Sequence, residues 1–236
     1  MTSNTAPADP ELPLIRLERI SRLFEGDAEE ATRALDEVTV DIEAGEFVTV
    51  SGPSGCGKST FLSILALLDT PTSGRYLFAG RDTRQLTLAE RARMRNVDIG
   101  MVFQSFNLIG DMTVAENVEY PLAIRGVPAG ERRARAAEAL DRVGLTARGK
   151  QRPGSLSGGH QQLVAVARAI AGRPAILLAD EPTGNLDSKG GEALMEIFAE
   201  LHRAGSTICI ATHDPRWFRE SQRTIHLFDG TVAAAE

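Results

Sequence analysis

Residues 47–60 read Phe47-Val48-Thr49-Val50-Ser51-Gly52-Pro53-Ser54-Gly55-Cys56-Gly57-Lys58-Ser59-Thr60, and this stretch decides the fold. It opens with a short apolar run typical of a buried strand, and GPSGCGKS then satisfies the phosphate-loop pattern G-x-x-x-x-G-K-S/T. An apolar-periodic segment at residues 61–68 follows and predicts a helix. A strand, a glycine-rich loop and a helix in this order predict a P-loop in an α/β protein.

The residue types of the loop fit phosphate binding. Glycines allow successive backbone N–H groups to turn inward, and the N-terminus of the following helix adds partial positive charge. We expect Lys58 to reach the β and γ phosphates of a nucleotide and the Ser59 hydroxyl to bind Mg²⁺, which prefers oxygen ligands. An ordinary glycine-rich turn is the alternative interpretation. For Cys56, a small tolerated side chain is favoured over a redox switch.

A second apolar run, at residues 174–181, ends in the adjacent carboxylates Asp180 and Glu181. It resembles a buried strand of a parallel sheet, and ligands bind at the carboxyl ends of such strands. We expect Asp180 to hold Mg²⁺ through water, and Glu181 to orient and deprotonate a water molecule that attacks the γ phosphate. By itself an Asp-Glu pair is a weak signal, because acids that end strands often only cap loops.

Composition narrows the possible classes of protein. The chain has 236 residues with a net charge of -6, the wrong sign for a nucleic-acid coat, so we expect no nucleic-acid partner. Its apolar runs fall short of the roughly 20 residues that span a bilayer, so a role at a membrane requires a partner. Two distant cysteines indicate a reducing cytoplasm, and the polar residues 1–13 are expected to form a disordered leader.

Hydrophobic periodicity divides the chain into regions. Strand-like runs occur mostly in the first half, helical periodicity dominates the middle, and a strand–helix–strand rhythm resumes near the C-terminus. The predicted strands are 15–23, 38–42, 47–50, 76–79, 98–103, 176–178 and 207–211, and the predicted helices are 61–68, 113–124, 129–143, 157–171 and 191–203. This order predicts an α/β sheet interrupted by a helical insertion. The basic run at 125–152 is interpreted as a solvated face, with a docking surface as the alternative.

Between the two phosphate-related motifs stands Leu156-Ser157-Gly158-Gly159-His160, which resembles the L-S-G-G-Q signature of ATP-binding cassette (ABC) ATPases. The resemblance runs from about residue 15 to 232 and identifies further elements by position. They are Gln104 as the Q-loop glutamine, Asp187 in the D-loop, His213 as the switch histidine and Phe24 as the aromatic residue that stacks on adenine. Independently of the resemblance, Ser157 suits a helix N-cap, and the two glycines after it permit close backbone approach.

The resemblance implies an α/β P-loop NTPase (RecA-like) core with an N-terminal antiparallel β portion and an inserted α-helical subdomain. We expect one ABC ATPase domain at 14–236, with the helical subdomain at about 105–172. It implies an ATPase that needs Mg²⁺, held by Ser59, Gln104 and Asp180, with Glu181, His213, Gln104 and Lys58 in catalysis. ATP would contact Phe24 and the loop residues Gly52, Pro53, Ser54, Gly55, Cys56, Gly57, Lys58, Ser59 and Thr60.

Family members dimerise head to tail in the ATP state, so the resemblance implies a homodimer in which Ser157, Gly158, Gly159 and His160 contact the nucleotide of the other subunit. The segments LLDTPTSG at 67–74, FQSFNL at 103–108 and ADEPTGNLDS at 179–188 look like the lipoprotein-releasing (LolD) and macrolide-exporting (MacB) subgroup. That likeness implies separate integral membrane permease subunits, and a location on the cytoplasmic face of the inner membrane through them.

Two positions depart from the family pattern, since His160 replaces the usual Gln and Leu163 an Arg. Both are interpreted as tolerated substitutions that leave an active ATPase; a pH-sensing His160 is the alternative. The rival functions are a soluble non-transport ABC ATPase, a cell-division-type regulator and a nucleotide-binding regulator without turnover. A generic P-loop kinase would give no reason for the signature helix. The transported substrate is not encoded in any of these motifs.

Overall fold

A computed structural model describes residues 12–25 and 32–233 of the chain. Its N-terminal part forms an antiparallel sheet of four strands in the order β2-β1-β4-β5. These strands are β1 (Ile15–Phe24), β2 (Thr32–Ile42), β4 (Ser73–Phe78) and β5 (Arg81–Asp82). Strand β1 pairs with β2 on one side and β4 on the other, so it forms the centre of this sheet.

The second sheet has six strands in the order β10-β9-β3-β8-β7-β6 and carries the phosphate-loop strand at its centre. Its strands are β3 (Phe47–Ser51), β6 (Ile99–Val102), β7 (Ile176–Asp180), β8 (Thr207–Ala211), β9 (Arg223–Phe228) and β10 (Thr231–Val232). All neighbours pair in parallel except β10, which is antiparallel to β9. The carboxyl ends of β3, β8 and β7 therefore lie on one edge.

Six α-helices, besides four short 3₁₀ helices, connect and cover the strands of the described residues. They are α1 (Lys58–Leu65), α2 (Leu88–Asp98), α3 (Val114–Ile124), α4 (Ala129–Arg142), α5 (Gly158–Ile170) and α6 (Ser188–Arg203). Helices α3 to α5 all lie in sequence between the neighbouring strands β6 and β7. Among the described residues, no helix has the length and apolar character needed to cross a bilayer.

Two hydrophobic cores lie on opposite faces of the six-stranded sheet. Along β7, Leu178 joins the core shared with α1 and the antiparallel sheet, whereas Leu177 and Ala179 join the core shared with α3 to α6. Such double burial explains the unbroken apolar runs of β7 and β8, since both faces of a parallel strand are covered. Helix α1 is thus enclosed between the two sheets, which fixes the phosphate loop at its N-terminus.

The predicted fold class is confirmed: a mixed α/β core with a parallel sheet, an antiparallel sheet at the N-terminal side and an intervening helical segment. The sequence patterns missed α2, β5, β9 and β10. The division into domains stays a prediction. Most of the predicted leader lies outside the described residues, although its last two residues, Leu12 and Pro13, are described and Pro13 is buried.

Candidate functional site

The phosphate loop connects β3 to α1 in the predicted position, and two of its glycines have no tolerated substitute. Gly52 has φ +149°, and a β-carbon there would lie 2.1 Å from the Leu227 carbonyl oxygen. Gly57 has φ +105°, and its β-carbon would lie 2.4 Å from the Ala34 carbonyl oxygen. The pattern therefore requires glycine here because the backbone is left-handed and closely approached.

Lys58 is the first residue of α1 and is almost fully buried. Its ammonium group donates hydrogen bonds to the carbonyl oxygens of Gly52 at 2.7 Å and Pro53 at 3.0 Å. No described side chain caps the helix at Gly57, so the N–H groups of its first turn are free to bind an anion. Ser54 and Gly55 are exposed in the loop, while Cys56 is buried, so the loop presents backbone and small side chains.

Asp180 ends β7 and lies next to the first turn of α1. Ser59 contributes to lowering the pKa of this carboxyl group, and the Oδ1 atom is buried with no hydrogen-bond partner in the described structure. Burial raises the pKa of Asp180 and the charge of Glu181 raises it further, while Ser59 and the Lys58 ammonium oppose the rise. A buried, unpaired carboxylate oxygen beside a hydroxyl is a donor set for a hard cation.

Within the described residues, no group of three or more His, Cys, Asp or Glu side chains could hold a metal by itself. A cation between Ser59 and Asp180 therefore needs further oxygen ligands from a bound phosphate, which is how Mg²⁺ is held in nucleotide sites. Gln104, the third predicted ligand, is exposed, and a β-carbon on Gly184 would lie 3.0 Å from its Nε2.

Glu181 and His213 lie together at the carboxyl ends of β7 and β8. The His213 Nδ1 and the Glu181 Oε1 are 2.8 Å apart, and the Glu181 side chain is 16% exposed against 71% for His213. Glu181 adopts φ +44°, and its backbone N–H donates to the Ala211 carbonyl oxygen, which fixes this sharp change of direction after β7. Strained backbone of this kind is typical of functional sites.

The signature residues form the N-terminus of α5, a different helix from the one that begins at the phosphate loop. Ser157 is the N-cap: its Oγ accepts from the His160 backbone N–H and lies 2.8 Å from the His160 Nδ1. A β-carbon on Gly158 would contact the Phe106 ring at 3.6 Å and the Asn185 carbonyl oxygen at 3.8 Å. This helix N-terminus therefore packs on the Q-loop and D-loop segments.

Asp187 caps α6, because its Oδ1 accepts a hydrogen bond of 2.8 Å from the Gly190 N–H. Asp187 thus has a structural role as a helix cap, and its role in the D-loop stays a prediction.

Phe24 ends β1 with 40% of its surface exposed. The guanidinium carbon of Arg22 lies 4.3 Å from the centre of the Phe24 ring. Arg22 is a neighbour of Phe24 that the sequence patterns did not predict.

Several residues that hold the site together were not among the predicted functional residues. Gln162 is fully buried, and its Nε2 donates to the Phe103 carbonyl oxygen at 3.2 Å. Arg168 donates to the Phe106 carbonyl oxygen at 2.8 Å, and Asn185 donates to the Gln104 carbonyl oxygen at 2.8 Å. These side chains connect the Q-loop to α5 and the D-loop; no local sequence pattern reveals contacts across 59 to 81 residues.

A phosphate loop at the centre of a parallel sheet, with Asp180 and Glu181 on the same sheet edge, defines a P-loop nucleotide-binding domain. Residues 35–184 match the family model described as "ABC transporter", and the chain belongs to this family. It is an ABC ATPase domain that closely resembles the MacB and LolD type of cassette.

Three relatives illustrate this similarity. The chain is 44% identical over 96% of its length to the macrolide export ATP-binding/permease protein MacB 1/2 of Paracoccus denitrificans, and spans 34% of that relative's length. It is 46% identical over 93% of its length to the uncharacterized ABC transporter ATP-binding protein MJ1508 of Methanocaldococcus jannaschii, spanning 97% of that protein. A dimeric structure of the ABC transporter cassette MJ0796 superposes with a TM-score of 0.87, at 43% identity, covering 94% of this chain and 97% of that one.

Proposed function

We propose that this chain hydrolyses ATP with Mg²⁺ as the nucleotide-binding subunit of a transporter and drives a separate membrane permease. The observation that carries the proposal is the 2.8 Å contact between Glu181 and His213 on the sheet edge that also carries Asp180. A carboxylate oriented by a histidine at this edge is suited to taking a proton from an attacking water molecule.

In this proposal the phosphates of ATP lie in the loop of residues 52–60, against the free N–H groups of α1. Lys58 exchanges its bonds to the Gly52 and Pro53 carbonyl oxygens for bonds to the β and γ phosphates. Ser59, Asp180 and Gln104 would hold Mg²⁺, which supplies positive charge that neutralises the phosphate oxygens. Phe24 stacks on the adenine base.

Glu181 orients the attacking water and accepts its proton. With both ring nitrogens protonated, His213 donates its Nδ1–H to Glu181 Oε1, which fixes the carboxylate in orientation, and the Nε2–H of this exposed side chain remains to donate to a γ phosphate oxygen. His213 then steadies both Glu181 and the γ phosphate. Gln104 contacts the same water, and its backbone is attached to the D-loop through Asn185.

The exposed N-terminus of α5 provides a second place for phosphate that the phosphate loop of the same subunit does not use. We propose that it is completed by a second copy of the chain, with Ser157, Gly158, Gly159 and His160 closing over the γ phosphate held by the other subunit. Asp187 would lie at the seam of this ATP-dependent homodimer. The dimeric structure of the relative MJ0796 supports such an assembly.

Replacing Glu181 with Gln tests both the chemistry and the dimer. Loss of the proton acceptor should lower hydrolysis by about 10²- to 10⁴-fold while ATP still binds, so that the dimer accumulates. Phosphate release and light scattering after size-exclusion chromatography, with and without ATP, report the two effects. Glu196→Gln is the matched control, because Glu196 is an exposed carboxylate on α6 in an ion pair with Arg203. Wild-type hydrolysis by Glu181→Gln, or its persistence as a monomer in ATP, contradicts the mechanism.

The permease is proposed to dock in a groove of about 410 Å³ between α2, α3 and β6, the strand that precedes Gln104. Leu68, Tyr120 and Ile124 are exposed apolar side chains of this groove, with 54%, 42% and 63% of their surfaces accessible. Arg95 and Arg125 line it as well, which favours a permease segment that combines apolar and acidic residues. Relatives such as MacB carry both functions in their names, ATP-binding and permease. Docking would hold this chain at the cytoplasmic face of the membrane.

Ile124→Glu tests the dock, with Leu88→Glu as its matched control. Leu88 is 86% exposed on α2 and does not line the groove, so both variants place one carboxylate at an exposed apolar position. The proposal expects co-sedimentation with membranes of the native host to fall for Ile124→Glu alone, with ATP hydrolysis in detergent-free solution unchanged. Equal membrane recovery of the two variants would contradict the assigned groove.

A further inference from the structure

The turn that follows α1 is attached to the end of β1 by three hydrogen bonds. The Thr72 N–H donates to the Ser21 carbonyl oxygen at 2.8 Å, and the Leu23 N–H donates to the Thr72 hydroxyl oxygen at 3.0 Å. Arg22 Nε donates to Asp69 Oδ2 at 2.8 Å. The segment LLDTPTSG therefore joins the helix that begins at the phosphate loop to the strand that ends in Phe24.

Arg22 is held in place on two sides. Its partner Asp69 is itself fixed, because the second carboxylate oxygen accepts a hydrogen bond of 2.7 Å from the Thr70 N–H. The guanidinium also donates to the Leu23 carbonyl oxygen at 3.1 Å. Arg22 and Asp69 are each only 25% exposed, so their ion pair is better shielded from water than most surface pairs. These hydrogen bonds hold the guanidinium with its carbon 4.3 Å from the centre of the Phe24 ring.

The Phe24 ring lies within reach of a base whose phosphates occupy the loop. Strand β2 approaches the loop so closely that a β-carbon on Gly57 would lie 2.4 Å from the Ala34 carbonyl oxygen. Phe24 pairs with Thr32 of β2. Thr32 lies two residues from Ala34 on that strand, which is about 7 Å at the usual rise per strand residue. With one part of its surface under the guanidinium, the ring keeps 40% of its surface accessible.

We propose that Arg22, fixed by Asp69, is a positioning residue that sets the Phe24 ring plane and strengthens its stacking on a purine base. The face of an aromatic ring is electron-rich and repels the electron-rich face of a base. A cation over one face draws electron density toward itself and reduces this repulsion on the other. The proposal rests on the proposed ATP-binding role of Phe24. It assigns to the LLDTPTSG turn the task of linking the phosphate end of the site to its base end.

Steady-state ATP hydrolysis by the full chain tests the proposal. Arg22→Met keeps an unbranched side chain but removes the charge, and should raise KM for ATP about two- to fivefold with kcat nearly unchanged. Arg22→Lys should retain most of the wild-type KM, and Asp69→Asn should give an intermediate value. Arg16→Met is the matched control, because it removes another partly exposed ion pair from β1, that with Asp41, and should leave KM unchanged.

A double-mutant cycle shows whether Arg22 acts through Phe24. In a Phe24→Leu background, which by itself should raise KM, adding Arg22→Met should have no further effect. Three outcomes overturn the proposal while the ATPase function stands. They are a full KM increase from Arg22→Met in the Phe24→Leu background, a wild-type KM for the single variant Arg22→Met, and a loss for Arg22→Met that is confined to kcat. An unchanged KM in Phe24→Leu overturns the base-stacking role and this inference with it. Absence of hydrolysis by the wild-type chain with Mg²⁺ overturns the proposed function itself.

Discussion

Asp180→Asn should make the nucleotide-free protein more stable while it abolishes the response to Mg²⁺. The carboxylate lies at the end of β7 with one oxygen buried and unpaired, and the charge of Glu181 lies beside it. Burial of the charge raises the pKa of Asp180, so the favourable effects of Ser59 and Lys58 do not offset its cost. Asparagine has nearly the same shape and removes this charge.

The expected size of the effect follows from two opposing contributions. A buried polar group without a partner costs about 1–3 kcal/mol, and more when it is charged. Asparagine keeps a buried polar group and loses the charge that Ser59 and Lys58 favour, which removes up to about 1 kcal/mol of the gain. A net stabilisation of about 1 kcal/mol corresponds to a rise in Tm of about 2–4 °C for a chain of 150–250 residues.

Differential scanning calorimetry at neutral pH without nucleotide measures this rise, and repeating it with ATP and Mg²⁺ should reverse the order of the two proteins. The pKa of Asp180 is higher in the folded protein than the ordinary aspartate value of 3.8. The wild type therefore regains stability as the pH falls from the raised pKa toward this ordinary value, because the carboxyl group becomes protonated and loses its buried charge. The Tm difference should therefore shrink in acid. Asp41→Asn, in the exposed pair with Arg16, is the control and should change Tm little. A lower Tm for Asp180→Asn at neutral pH would refute the reasoning.

Three further predictions concern the loop, an acidic group and the signature helix. Gly57→Ala should lower the free energy of unfolding by more than the roughly 1–2 kcal/mol that a left-handed backbone costs a residue with a β-carbon, because that β-carbon also meets a carbonyl oxygen. Gly55→Ala is the control: its φ is +82° but its β-carbon would lie in open space, so it should cost only the roughly 1–2 kcal/mol of the left-handed backbone. Urea denaturation measures both. Hydrogen bonds from Arg84 and Arg75 lower the pKa of Asp82 to about 2, so the charged carboxylate stabilises the folded protein above about pH 4 and loses this effect as the pH falls toward 2. Asp82→Asn should therefore be less stable than the wild type at neutral pH, and the difference should vanish near pH 2. Gln162→Leu should change the free energy of unfolding by less than about 1 kcal/mol in the same assay, because the loss of the bond to Phe103 is offset by removal of the Gln162 Oε1 atom, which is buried without a partner in the described structure; a larger loss would contradict this.

The sequence predicted the fold best where a pattern is enforced by local geometry. The glycines of the phosphate loop are required by φ values and close contacts that only glycine tolerates, so their spacing identifies the loop directly. The apolar run before Asp180 was recognisable because β7 is buried on both faces. Helix α2 was missed because only Met94 of its residues is buried, which leaves almost no apolar periodicity.

The contacts that organise the site depend on residues far apart in the chain. Arg22 and Phe24 are two residues apart on one strand and so share a face, a signal that was available from the sequence. The partner of Arg22 is Asp69, 47 residues away, and only the packing of α1 between the two sheets brings it there. Propensity and periodicity carry no information on such pairs, because tertiary packing decides which polar groups meet.

The two departures from the family signature have different physical settings on α5. Leu163 is half-buried and packs against the second hydrophobic core, where an apolar side chain needs no polar partner. His160 instead engages the hydroxyl of Ser157 through its Nδ1, at 2.8 Å. When this nitrogen accepts, the Ser157 O–H points at the ring, and the hydroxyl oxygen also accepts the His160 N–H. Contact with a phosphate then requires the hydroxyl proton to turn from the ring to the ligand. The substitution at 160 therefore acts on the group proposed to contact the partner's nucleotide, whereas the substitution at 163 acts on packing alone.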